Sequence, residues 1–121
     1  MGLFVNGSIW ANGNVYARDE RFKQNITPIE TPLQKLMQIN GVEYEMKLGE
    51  FAKRNFLPGR QMGLLAQNVE TVVPEAVSEK DGYKGVDYAK LVPLLIESIK
   101  ELQEQMDELK REIQLLKQLI K

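Results

Sequence analysis

Cysteine and histidine are both absent from the 121-residue chain, which removes disulfides, thiolate nucleophiles, imidazole bases and the common zinc sites in one step. Any chemistry must fall to serine, lysine, tyrosine or carboxylates. Charged candidates crowd the stretch Arg18-Asp19-Glu20-Arg21-Phe22-Lys23-Gln24-Asn25-Ile26, where the composition turns abruptly polar after Ala17. Such a run is ordinarily a solvated surface, and Asp19, Arg21 and Lys23 can form an ion-pair cluster at a junction between segments. Glycoside hydrolysis needs two carboxylates facing each other across a cleft. The paired carboxylates here fall on helix exteriors or beside an apolar seam, which disfavours that chemistry. No residue set calls for a metal or a cofactor. A net charge of −1 with 27% charged residues carries no footprint for nucleic acid or a membrane surface. Met1-Gly2-Leu3-Phe4 is too short and uncharged for a signal peptide, and no apolar run reaches membrane-spanning length, so a soluble chain is expected.

The element that organises the chain is its C-terminal third. Val92, Ile99, Met106, Ile113 and Ile120 alternate with Leu95, Leu102, Leu109 and Leu116 at steps of four and three, which assigns the first set to a and the second to d of a heptad. Burying one Leu or Ile is worth about 1.5–3 kcal/mol, so a lone helix that left nine such residues in water would forfeit more than a small domain's net stability. Too little chain precedes a stripe about 40 Å long to cover it by folding back, and oligomerisation is the expected solution. Glu112 at g and Lys117 at the following e suit parallel neighbours. Ile at a with Leu at d favours two strands in isolated peptides, so the seam alone does not specify the number of chains.

Ahead of the seam, Asn6-Gly7-Ser8-Ile9-Trp10-Ala11 is followed directly by Asn12-Gly13-Asn14-Val15-Tyr16-Ala17. This internal repeat pairs a turn signal with β-branched or aromatic residues. Two units cannot bury a continuous face, so the stretch reads as the end of a longer β-rich shaft or, alternatively, as an isolated hairpin. Between repeat and seam the pattern is mixed. Thr31 is expected to cap a helix with Pro32 first, Gln34 completing a capping box, Gly41 past the end, and Leu33, Leu36 and Met37 on the buried face. Val42, Tyr44 and Met46 alternate with charged residues as a strand, and residues 48–60 read as a surface loop. Gly63 to Val73 reads as a strand entering a helix that stops before Pro74, and Val77 and Val86 flank a hairpin turn at Asp81-Gly82. Asp87 is the expected N-cap of the long helix, and Pro93 is expected to kink it. The fold class is therefore α+β: a shaft end at residues 1–17, a small mixed domain at 18–88, and a coiled-coil helix at 89–121.

Four blocks in this order resemble the C-terminal intramolecular chaperone and self-cleavage domain of phage tail spikes, tail fibres and neck appendages. They are Gly13–Ala17 with Asp19–Ile26, then Gly41-Val42-Glu43-Tyr44, then Gly63–Val69 with Pro74-Glu75-Ala76-Val77, and Val86-Asp87-Tyr88 before the heptads. The resemblance implies a homotrimer, hence a parallel trimeric coiled coil, that helps an upstream β-helical shaft of the same polypeptide to assemble. It places the protein in a virion tail or appendage precursor assembled in the host cytoplasm. Members commonly then release themselves by autoproteolysis with a Ser-Lys dyad, cutting before the Ser of a Ser-Asp-x-Arg-x-Lys block. Asp19, Arg21 and Lys23 match that block, with Lys23 in the place of the general base, whereas Arg18 stands where the nucleophile belongs. A guanidinium neither attacks a carbonyl nor gives up its proton, so no cut of the Ala17–Arg18 bond is expected. Ser8 lies ten residues earlier, with nothing to place it beside Lys23. A structural coiled-coil tip that contacts a receptor or another virion protein is the alternative function.

Overall fold

Asp81 and Gly82 both have positive φ, 54° and 83°, and so form the two-residue turn whose twist matches a β-hairpin. A computed structural model describes residues 17–120, and in it this turn joins β3 (Val77–Lys80) to antiparallel β4 (Tyr83–Val86), with Val77 opposite Val86. A second antiparallel pair, β1 (Val42–Tyr44) with β2 (Gln61–Gly63), sets Val42 opposite Gly63. Two strands alone are marginal in water, so each ribbon depends on helices for cover. These are α1 (Pro32–Leu36), α2 (Ala66–Glu70) and the 28-residue α3 (Val92–Leu119).

The core is small. Val69, Ala76 and Leu91 are buried together, with Ile39, Leu64, Val73, Val77 and Val86 packed around them. Three polar ties hold the surrounding segments to it. Asn68 donates from Nδ2 to the Gln38 carbonyl and accepts the Asn40 N–H at Oδ1, each at 2.9 Å, so one amide clamps the segment after α1. The Tyr88 hydroxyl accepts the Leu64 N–H at 2.9 Å. Lys84 of β4 pairs with Glu70 of α2, and that carboxylate holds the ammonium above the usual lysine range. The blocks around Gly63, Asn68 and Tyr88 are thus joints between elements.

Gly63 shows how tight one joint is. A Cβ there would lie 2.8 Å from the Tyr88 hydroxyl and 3.2 Å from the Tyr44 hydroxyl. Gly63→Ala is therefore expected to cost about 1–3 kcal/mol, as overpacking does, and to appear as a lowered midpoint in thermal unfolding. An unchanged midpoint would mean that the tyrosines move aside freely.

Three expectations are corrected. Thr31 occupies the N-cap with Pro32 first, but its backbone is left-handed, φ 44° and ψ 55°, and its hydroxyl caps nothing; the capping box does not form because a cap needs an extended backbone. The helix ends at Leu36 in tight turns, with Gln38 bonding back to Lys35 and Ile39 to Leu36, and this turns Met37 out to solvent. Asp87 caps a 3-10 turn, Tyr88–Leu91, by accepting the Ala89 N–H, and Pro93 stands in the first turn of α3. No intrahelical partner exists there for the missing N–H, so the proline starts the helix and does not kink it. The 48–60 loop carries a 3-10 turn, Ala52–Arg54, whose Arg54 lies 4.6 Å over the Tyr83 ring. The hexapeptide repeat lies outside the described residues, apart from Ala17.

Candidate functional site

α3 has two apolar faces, and the domain uses only one. Leu91 in the turn before α3, then Leu94 and Ser98, recur at helical spacing and are all buried; α1 packs along α3. Ser98 is fully buried and its hydroxyl has no hydrogen-bond partner, so its place there rests on size. A larger side chain would not fit there without displacing its neighbours. The heptad residues point elsewhere. Val92, Leu95, Ile99, Leu102, Met106, Leu109, Ile113, Leu116 and Ile120 are all between 42% and 81% exposed. From Leu102 to Ile120 no side chain of the helix is buried. The fold-back route to covering the seam is therefore not taken among the described residues, because the domain grips the opposite side of the first turns.

The seam's polar flanks are ordered along the helix. Glu97 pairs with Lys100 at 3.3 Å, and Gln103 donates to Asp107 at 3.0 Å, both on the helix's own surface. Glu112 and Lys117 form no ion pair with each other within the chain, which fits their i, i+5 spacing.

The residues of the 18–23 stretch form a local knot. Asp19 is the N-cap of a 3-10 turn, Glu20–Phe22, and accepts the Arg21 N–H at 2.9 Å. The Arg21 guanidinium closes on the same carboxylate through Nε at 3.1 Å and Nη2 at 2.8 Å. That fork, followed by the backbone bond, holds the Asp19 carboxyl below its usual range. The cap's contribution is thus complete above the ordinary carboxylate range and is lost only as the pH falls through the lowered value. Lys23 ends the turn by donating its N–H to the Glu20 carbonyl, and both Arg18 and the Lys23 side chain are exposed. Asp19 and Arg21 are brought together as the ion-pair reading expects; Lys23 contributes its backbone to the turn.

The buried line Leu91, Leu94, Ser98 is absent from the sequence reading. Its signal was Leu94-Leu95-Ile96, an apolar triplet wider than a seam of a and d positions needs.

Residues 19–78 match the family described as the chaperone of endosialidase, a span that runs from the Asp19 cap through the β1–β2 pair and α2 into the start of β3. Over an alignment 125 positions long that covers 91% of the chain, it is 33% identical to the long tail fiber protein Gp37 of Enterobacteria phage K3, and likewise to that of phage T2. The corresponding protein of Salmonella phage S16 is 30% identical over 96% of the chain. The chain spans only about a tenth of the K3 and T2 fibre proteins and 17% of the S16 one. With its joints at Gly63, Asn68 and Tyr88 accounted for and its matched span starting at the Asp19 cap, the chain belongs to the chaperone of endosialidase family.

Proposed function

We propose that this chain is an intramolecular chaperone that holds three copies in parallel register and so promotes folding of an upstream β-helical fibre shaft. The observation that carries this reading is the seam of nine exposed apolar residues on the face of α3 that the domain leaves open. Burial of that stripe needs other copies of the same helix, and the Glu112 to Lys117 spacing suits parallel neighbours. The number three is what the resemblance to the family implies, since the seam alone does not specify the number of chains. Residues 1–17 are the end of the shaft, 18–88 the chaperone domain and 89–121 the trimerisation helix, in a polypeptide bound for a virion tail and assembled in the host cytoplasm. The tail-fibre relatives support the virion-tail location. The knot at Asp19 and Arg21 orients the junction, and the chain stays attached to its shaft because Arg18 offers no nucleophile for cutting Ala17–Arg18.

Non-local β pairing forms slowly and aggregates while its edges are open. Registering three chains at one end removes the slowest search. Deleting residues 18–121 from the parent fibre is expected to leave the shaft aggregated or unfolded, measured as soluble, protease-resistant trimer after expression. Normal yields of native shaft would overturn the chaperone reading and favour a structural tip.

A further inference from the structure

An apolar groove of about 550 Å³ opens beside the base of α3, lined by Leu36, Met62, Leu64, Tyr88, Leu91 and Leu95. Its rim is exposed: Met62 at 79% and Tyr88 at 52% leave large apolar surface in water. One groove wall is the base of the seam itself. Leu95 lines the groove from d, and Tyr88 and Leu91, in the 3-10 turn that leads into the helix, continue the d and g edge by count, so the groove flanks that edge. In parallel coiled coils that edge faces the a and e edge of the next chain, and a residue at g meets the residue five positions later at e of its neighbour. For Leu91 that residue is Ile96.

Ile96 is the anomaly among the e positions. The later ones, Gln103, Lys110 and Lys117, are polar or charged, as the flank of a seam ordinarily is, whereas Ile96 is branched, apolar and 51% exposed. Among the described residues of its own chain nothing buries it, since the domain covers Leu94 and Ser98 on another side of the helix. We infer that Ile96 of each protomer inserts into the Leu91–Met62 groove of the next, so that the globular domains themselves form part of the oligomer interface. This rests on the proposed parallel trimer and specifies its contact. The groove and the inserting residue are different surfaces, so the contact is head-to-tail, and three-fold rotation about the seam closes it without leaving a groove open. The occupant is a second copy of this chain because the groove is continuous with the seam and the heptad register delivers one side chain to it.

The chain contains no cysteine, so two single substitutions, Met62→Cys and Ile96→Cys, give selective cross-linking. Both positions are exposed, and both variants should fold. The two chains, one lengthened by a tag, are refolded together and treated with a short bismaleimide, with Met37→Cys, 73% exposed, replacing Met62→Cys as control. The expected product is a cross-link of tagged to untagged chain, several-fold above the control, in material that sediments as a trimer. A trimer with no cross-link beyond the control overturns the groove contact and leaves the trimer standing. Material that sediments as monomer overturns the trimer and the groove together. Ile96→Asp should independently weaken self-association at least tenfold, and unchanged association would contradict the insertion.

Discussion

A chain truncated after Lys100 is expected to sediment as a folded monomer at micromolar concentration. The truncation removes Leu102, Met106, Leu109, Ile113, Leu116 and Ile120, six of the nine seam positions, and touches none of the residues that tie α3 to the domain. At about 1.5–3 kcal/mol per buried side chain, the six are worth on the order of 9–18 kcal/mol per chain, an upper bound because the free helix already shields part of each. Association costs roughly 4–15 kcal/mol before any surplus appears as affinity. What is left, Val92, Leu95, Ile99 and the Ile96 contact, does not exceed that cost by enough to hold three chains together. Leu91, Leu94 and Ser98 remain packed, so circular dichroism should still show folded α1, α2 and strand pairs. A truncated chain that still sediments as a trimer would place the oligomerisation surface in the globular domain and not in the helix.

The second large effect concerns the junction. Arg18→Ser is expected to make the chain split between residues 17 and 18 during expression or prolonged incubation. In the proposed chemistry the new hydroxyl attacks the Ala17 carbonyl carbon as Lys23 takes its proton. The peptide C–N bond breaks as an ester forms, the proton passes to the freed amine, and water then hydrolyses the ester. The 3-10 turn Glu20–Phe22, closed by the Asp19–Arg21 fork, lies between the two reacting positions and sets their separation. A misplacement of about 1 Å can cost on the order of a hundredfold in rate, so slow cleavage still counts as cleavage. Adding Lys23→Ala should abolish it. Mass spectrometry that finds only intact Arg18→Ser chain would mean that Lys23 is structural, and that this member keeps the family's fold without its peptidase.

The legible parts of this chain are those whose signals are local. Asp81-Gly82 dictates its own turn because both residues accept positive φ, and the spacing from Val92 to Ile120 marks an apolar stripe whatever surrounds it. Asp19 and Arg21, two residues apart, meet as their charges suggest. What the sequence hides is tertiary. Thr31 has the right identity for a cap, and the proline after it ordinarily favours the extended backbone a cap needs, yet its backbone is left-handed. Pro93 reads as a kink only if the helix is assumed to begin at Asp87, and the 3-10 turn that shifts its start has no separate signature. Gly63 reads only as the start of a strand, and the two tyrosine hydroxyls that leave no room for a Cβ there come from elsewhere in the chain. Ser98 falls at g of the heptad, where a polar residue is ordinary, and only the packing of the folded chain buries it.

The parallel trimer underlies the chaperone proposal, the groove contact and the truncation alike. Sedimentation equilibrium of the intact chain tests it most directly, because the mass obtained does not depend on shape. A single species of three 13.9 kDa chains is expected across the micromolar range. A mass of one or two chains there would contradict it.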